Sequence, residues 1–566
     1  MPSDSLKSHL METSASPSSR PTDSSWWRGT VIALVILAVG LAIGCFAMGE
    51  TGPLWPDSPR YANGAAMILD WLRSGDYHSP KAFALRNYAQ YPSFSIPYHP
   101  PGYPLVLAIW FGVTGPSYAS ARLFIAVCWA ATGGLFYLIH RHFGAGRTSS
   151  AAVALLLLTT PPLAIWARDT MSEVPSLVPL LAATLFYVRW LDGGRAWNAA
   201  LAGLLLETAF FFRVTTSAVV PGLVLYGMLT RGLTRRKLLC VALFGVVYLS
   251  VNAGYITFAA QYSRHEVSAD GKDQGLGFAQ AIQYFRVCSP GLVAGGTAAV
   301  GFGGLLAALI GRSVHRPVLL WAAWLASCVA FKIAVPTTTE VRHLVLAMPA
   351  LAGLAVAWFP DRDSSRYQRR LALAAALSTL AVAFNLFVLA RTTPRGLVGY
   401  APVAEALAKA DGPGHIFMAC PEDQELMFRY RVAHPARDRD CVRSDRSLVV
   451  RVSEYAHQTD DVRATTQDDV LDVFRRGRIG YVVTCQPYPG RRDVRPVDYK
   501  LTEQTVRARP EMFREIKSFP LLVDYVDGAH RDTQGLVTIW QVTAHVEDGP
   551  PDLPVLVPTA SLRIEP

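Results

Sequence analysis

The chain has 566 residues, 51% of them hydrophobic and only 17% charged, with a formal net charge of +10. A soluble protein carries about 25% charged residues, so the composition excludes an ordinary soluble fold over the whole length. Where the basic residues fall decides what the charge means, and here they fall in short loops between apolar runs, which orients a membrane protein and argues against a nucleic-acid footprint.

Residues 1–26 are rich in Ser, Thr and Pro and hold nothing to build a core, which predicts a disordered cytoplasmic tail. The apolar run from Val31 is too long and too far from the terminus for a signal peptide, and no small-residue cleavage site follows it. It reads as a retained helix. A helix needs about 20 apolar residues to cross a roughly 30 Å hydrocarbon core. Runs of this kind are 30–48, 118–140, 149–166, 174–190, 197–212, 214–230, 238–258, 291–311, 317–335, 343–359 and 371–391, several of them short or broken by Pro or Gly. Tyr103 to Val113 is too short to span and is expected at the interface.

Charge orients this array. With the N-terminus cytoplasmic, the inside loops 141–147, 189–195, 231–237, 312–316 and 361–370 hold 14 Lys/Arg against 3 Asp/Glu. The outside segments 49–103 and 260–290 are balanced, with four and three of each sign. The expected fold is an α-helical polytopic membrane protein of about eleven spans over residues 27–391. An extracytoplasmic α/β domain over 392–566 is expected to follow.

The first outside segment carries Asp57 in Trp55-Pro56-Asp57-Ser58-Pro59-Arg60-Tyr61. A carboxylate there either caps a helix or serves as a general base. Tyr61 to Leu72 follows as an amphipathic stretch, with Ala65, Ile68, Leu69 and Leu72 on one side and Asn63, Asp70 and Arg73 on the other, and is expected to lie in the membrane plane. Next comes Tyr98-His99-Pro100-Pro101-Gly102-Tyr103, whose double proline fixes the backbone and whose His99 is placed to titrate near neutral pH.

A second acidic turn, Arg168-Asp169-Thr170-Met171-Ser172-Glu173-Val174-Pro175, opens on the same side. Arg168 and Glu173 either share an outer pocket or neutralise each other, and Asp169 is as well placed for solvent. Arg213 ends Phe210-Phe211-Phe212-Arg213 at the outer face, where a guanidinium either binds a lipid phosphate bidentately or snorkels to headgroups. Glu207 lies deeper in the same run. The loop Thr337-Thr338-Thr339-Glu340-Val341-Arg342-His343 adds Arg342 as a phosphate binder, with Glu340 and His343 beside it and Lys332 close below. Residues 260–290 alternate charge and Gly and then carry Phe278, Ile282 and Phe285 at helical spacing, suggesting a mobile loop and a short surface helix.

Beyond Arg391 the composition turns polar and Pro-rich. Strand-like runs are His415 to Ala419, Leu448 to Val452, Tyr481 to Thr484 and Leu536 to Val542, with a helix over Asp468 to Arg476 started by Thr465-Thr466-Gln467-Asp468. No catalytic motif stands out there. Of its cysteines Cys420, Cys441 and Cys485, the first two are the expected pair if any disulfide forms. No spacing matches a zinc site.

In their order these features resemble the GT-C glycosyltransferases that use polyprenyl-phosphate sugars, the group of protein mannosyltransferases and the lipid A aminoarabinose transferase. Asp57, Tyr61 and Gly75-Asp76-Tyr77 resemble that family's first acidic loop, and Arg168 to Pro175 its second, with Glu173 at the acidic position. His99-Pro100-Pro101-Gly102-Tyr103-Pro104 resembles its Lys-Pro-Pro-Leu element, with His in place of Lys. Ala121-Arg122-Leu123, Arg213 and Glu340-Val341-Arg342-His343 match in turn the second helix, the basic residue after the fifth and a Glu-x-Arg-Tyr turn.

The resemblance implies an enzyme of the bacterial inner membrane that moves a sugar from a polyprenyl-phosphate donor to an extracytoplasmic lipid, glycan or protein, with inversion. Asp57 and Glu173 would be catalytic, with Arg213, Arg342, Arg168 and His99 on the donor phosphate and Tyr61, Asp169, Glu340, His343 and Lys332 in support. Neither acidic loop contains Asp-x-Asp, so no metal or other cofactor is expected. A polyprenyl-lipid flippase and a non-catalytic envelope assembly protein are the competing readings.

Overall fold

The computed structural model describes residues 26–564 apart from 47, 49–51, 94–95, 97–98, 231, 273–295, 311–314, 335–340, 360–366, 393–395, 437, 451–460, 463, 487–496, 525–532, 545–548, 550, 554 and 557–562. The tail over 1–25, the surface helix expected around Phe278 to Phe285 and the side chains of Glu340 and His343 lie outside the described residues.

Each apolar run inside those limits is helical. The helices in chain order are α1 (Trp26–Cys45), α2 (Ser58–Ser74), α3 (Pro80–Gln90), α4 (Gly102–Thr114), α5 (Tyr118–His142), α6 (Arg147–Thr159), α7 (Glu173–Leu191), α8 (Ala196–Phe212), α9 (Val220–Leu229), α10 (Arg235–Lys272), α11 (Gly296–Ile310), α12 (Arg316–Ala334), α13 (Met348–Leu354) and α14 (Tyr367–Thr392). Among the described residues six segments are long and apolar enough to cross a membrane, in α1, α5, α7, α10, α12 and α14, and the bent pair Arg147–Thr159 and Pro161–Arg168, counted as one span, makes a seventh. The remaining expected spans are shorter apolar helices, such as Ala196–Phe212 and Gly296–Ile310. The 60° bend has a local cause. Pro161 and Pro162 lack the amides that would continue the ladder, and Thr160 takes an extended ψ of 113° before them.

The apolar side of α2 packs on α4, but part of its polar side is covered too: Asn63 and Asp70 face protein, while Arg73 is exposed. The helix is therefore sandwiched between the bundle and the C-terminal residues. It stops at Gly75, whose φ of 70° suits the left-handed C-cap position that side chains resist.

Residues 396–542 form a six-stranded mixed sheet from β1 (Gly396–Val398), β2 (His415–Ala419), β3 (Cys441–Arg443), β4 (Ile479–Gln486), β5 (Phe513–Asp524) and β6 (Thr533–Val542), in the order β1-β5-β6-β4-β2-β3. β2 runs parallel to β3 and β4, and the other pairs are antiparallel. The central strands alternate between two cores. Ile416 and Met418 pack with α15 (Tyr400–Lys409) and α16 (Asp423–Ala433), whereas Phe417 and Ala419 pack with α17 (Gln467–Arg476) and α18 (Val497–Ala508). Thr466 starts α17 with a capping box, accepting from the Asp469 amide while Asp469 accepts from the Thr466 amide. Cys420, Cys441 and Cys485 are all buried in the first of these cores, where Cys420 and Cys441 stand as separate thiols, so the expected Cys420–Cys441 disulfide is not formed and each packs as a small apolar filler.

The sheet unit seats on the bundle through α16. Phe428 inserts between Tyr118 (ring centroids 4.7 Å apart) and Phe111 (6.3 Å), and Arg431 pairs with Asp70 of α2. The Leu397 amide also donates to the Pro53 carbonyl at 3.0 Å. These contacts bring the start of α2, and with it Asp57, beneath the C-terminal unit.

Candidate active site

Asp57 stands at the N-cap of α2, where Pro59 presets the first turn, yet its side chain makes no capping bond. Its carboxylate turns instead to two guanidinium groups. Arg342 Nη1 lies 2.7 Å from Oδ2, and Arg60 Nη1 lies 3.4 Å from Oδ1. Arg342 comes from the 3-10 helix Val341–Ala347 and stacks over Trp55, 4.9 Å from the ring centroid. With Asp57 only 3% exposed, water cannot screen the pair. Burial by itself would raise the Asp57 pKa, but Arg342, Arg60 and His99 together hold the carboxyl well below the usual carboxylate range.

A second pair lies beside the first. Glu173 opens α7 fully buried, and Arg213 Nη1 sits 2.9 Å from its Oε1. The same Nη1 donates to Ser172 Oγ at 3.1 Å, and Arg213 Nε donates to Thr215 Oγ1 at 3.0 Å. Ser172 ties this second pair to α2, because its hydroxyl also meets Tyr61 Oη at 3.1 Å. Tyr61 in turn stacks on His99 and packs on Tyr103, both with centroids 5.1 Å away. One turn of α2, the turn before α7, the end of α8 and the Arg342 helix thus converge.

Several residues play parts other than those expected. Arg168 does not meet Glu173. The 3-10 turn Trp166–Arg168 and the extended Asp169 (φ −125°, ψ 155°) send it the other way, where its Nε donates to the Phe46 carbonyl at 3.2 Å beside Arg122. Asp169 is not solvated: it is buried, accepts from Ser58 Oγ at 2.6 Å and from the Thr170 amide at 2.8 Å, and so pins α2 to the second acidic turn. His99 does not titrate near neutrality. Burial pushes it down to about 3, with Arg60, Arg342 and Arg213 adding to the burial and Asp57 opposing it. It is a neutral imidazole that can donate a hydrogen bond but lends a phosphate no charge. Lys332 lies in the last turn of α12, outside the set of contacts just described. Ser172 and Gln424, discussed below, carry no signal in the sequence.

Asp169 makes stability depend on pH. Burial pushes its pKa up to about 7, against the hydrogen bonds from Ser58, Thr170 and Leu54. An unfolded Asp titrates near about 4. Between these values the folded state binds a proton that the unfolded state has lost, so stability falls as pH rises through about 4 to 7 and levels off above. Asp169→Asn is expected to flatten the pH dependence of the thermal midpoint over that window; an unchanged slope would show that Asp169 is ionised in the folded protein.

The family model described as dolichyl-phosphate-mannose-protein mannosyltransferase matches residues 98–255, a stretch holding His99, Arg168, Glu173 and Arg213 but not Asp57 or Arg342. No protein of curated function matches the chain by sequence. Among solved structures, ArnT from Cupriavidus metallidurans bound to undecaprenyl phosphate is similar, with a TM-score of 0.56 at 15% identity over 93% of this chain and 100% of that one. ArnT in the apo state gives 0.56 at 16% over 90% and 98%. Arabinofuranosyltransferase AftD from Mycobacteria gives 0.50 at 16% over 94% of this chain and 40% of that one. The chain therefore shares the fold of ArnT and AftD, and its residues 98–255 match the family model described as dolichyl-phosphate-mannose-protein mannosyltransferase.

Proposed function

We propose that this protein is an integral-membrane glycosyltransferase that takes a sugar from a polyprenyl-phosphate donor and delivers it, with inversion, to an acceptor on the extracytoplasmic side. The observation that carries this reading is the pair of buried carboxylate–arginine contacts, Asp57–Arg342 and Glu173–Arg213, the second held to Tyr61 of α2 through Ser172. A lipid-linked donor agrees with the undecaprenyl phosphate held by ArnT.

In this reading Arg213 and Arg342 bind the donor phosphate, a group that guanidinium engages bidentately. An acceptor oxygen attacks the anomeric carbon while the bond from that carbon to the phosphate oxygen breaks. The polyprenyl phosphate leaves with the electron pair, stabilised by both arginines. The acceptor proton passes to Asp57, while Glu173 sets the loop and Arg213. His99 contributes a neutral hydrogen bond beside Tyr61. The cytoplasmic placement of the N-terminus, from the basic loops, puts this end of the bundle outside.

The resting geometry poses a difficulty that the donor removes. A carboxylate held far below its usual pKa is a poor base. A phosphate competing for Arg342 would strip Asp57 of its nearest cation and add a negative charge nearby. Both changes raise the Asp57 pKa, leaving burial to dominate. The acid limb of kcat, which reports the donor-bound enzyme, is therefore expected at higher pH than the acid limb of kcat/KM. Coincident limbs measured across pH would remove donor binding as the event that activates Asp57.

The function itself is tested by mass analysis of envelope glycans and lipids from cells with and without this protein. A glycan or lipid that loses one sugar in its absence is expected. An unchanged inventory in cells that express it would overturn the enzyme reading.

A further inference from the structure

The guanidinium of Arg60 is shared between two parts of the molecule. Its Nη1 faces Asp57 at 3.4 Å, and its Nε donates to Gln424 Oε1 at 3.1 Å, across 364 positions of sequence. Gln424 belongs to the first turn of α16 in the C-terminal unit and is 5% exposed. Its side chain is fixed from several directions. Ser93 Oγ donates to the same Oε1 at 3.3 Å, and Asn63 Nδ2 holds both neighbours, donating to Ser93 Oγ at 2.8 Å and to the main-chain carbonyl of Gln424 at 3.1 Å.

The backbone at this turn is itself constrained. Glu422, just ahead of α16, has a φ of 50°, a left-handed conformation that a non-glycine residue adopts at a cost. The next residue, Asp423, is locked by Arg443 Nε at 2.8 Å from its Oδ2, and Arg443 also reaches the Pro92 carbonyl at 3.4 Å. Strained backbone persists where its surroundings over-determine it. Here those surroundings are the polar contacts that aim Gln424 at Arg60.

We infer that Gln424 is a positioning residue through which the C-terminal unit orients Arg60, and through it Asp57, for sugar transfer. An arginine has five donors on one rigid plane. Fixing Nε on Gln424 sets where Nη1 lies, so the amide of one unit determines the geometry of the carboxylate in the other. The inference rests on the assignment of Asp57 as base, and it gives residues 392–566 a direct part in the site rather than that of a lid alone.

The test is a double-mutant cycle on the full-length protein in detergent or nanodiscs, measuring sugar transfer. Gln424→Met keeps the volume and removes the acceptor. It is expected to lower kcat about five- to tenfold with the donor KM unchanged. Arg60→Ala is expected to lower kcat further, and the double variant no further than Arg60→Ala alone, since residues acting through one another are non-additive. A merely structural Gln424 would give additive losses, or none, and either result overturns the inference. Should Gln424→Met not yield folded protein, Gln424→Glu serves as the second variant. Its carboxylate turns Arg60 off its line to Asp57, and the lost orientation outweighs the gain in Asp57 basicity, so kcat falls at constant KM; an unchanged or higher kcat there also overturns the inference. Asp57→Asn assayed in parallel separates the two claims. If it retains turnover, both fall; if it is inactive while the cycle shows no coupling, only the role of Gln424 falls.

Discussion

Asp57→Asn is expected to lower sugar transfer by about three orders of magnitude while leaving the protein able to bind polyprenyl phosphate. The size follows from the loss of a general base, worth about 10²- to 10⁴-fold. Asparagine keeps the shape of the side chain and removes the charge to which Arg342 and Arg60 are paired. Two guanidinium groups are then left in a buried site, so the empty variant is expected to unfold at lower temperature than the wild type. Undecaprenyl phosphate would supply the missing negative charge, so its stabilising effect on the variant should exceed that on the wild type. Thermal shifts with and without the lipid, beside a transfer assay, measure both. Turnover within tenfold of wild type would remove Asp57 as the base. Retained turnover is also what a flippase predicts, so the same measurement separates the two classes.

The convergence of Asp57, Glu173, Arg213 and Arg342 is legible in the amino-acid sequence. All four belong to turns expected from the loop charges to open on one membrane face. Their pairing is not legible there. Arg168 lies five positions from Glu173, but the chain reverses its side-chain direction at the extended Asp169, and Glu173 pairs with Arg213 from a different helix. Sequence distance says little about partners once a turn changes conformation between them. The amphipathic pattern of α2 correctly indicates a helix but not what covers its polar face. A polar face looks the same in sequence whether water or a second unit covers it.

The sheet shows the same limit from the other side. β2 is legible as a short, fully buried run, and β4 and β6 because β-branched and aromatic residues dominate them. β5, the longest strand, escapes such a reading: Phe513 to Asp524 mixes Arg514, Glu515 and Lys517 with Pro520, and its charged half is exposed. Its strand state comes from pairing with β6 rather than from its own composition. Gln424 is the extreme case, since nothing near it in sequence distinguishes it from any helical glutamine. Only the docking of α16 on α2 gives it a role.

Arg213→Met separates stability from chemistry at the second pair. Glu173 is fully buried, and Arg213 is the cation beside it. Removing one partner of a buried pair costs about 3–5 kcal/mol because the other charge stays uncompensated, so the single variant is expected to express poorly and to unfold early. Adding Glu173→Gln removes the stranded charge while keeping the shape. The double variant should therefore recover a thermal midpoint close to wild type. Turnover should not return with it, because the phosphate still lacks the guanidinium of Arg213, and the donor KM should stay high. Recovery of both fold and turnover would mean that the pair is structural and that Arg342 alone meets the donor. Recovery of fold without turnover places Arg213 on the donor phosphate, with Glu173 as the group that keeps it aimed until the donor arrives.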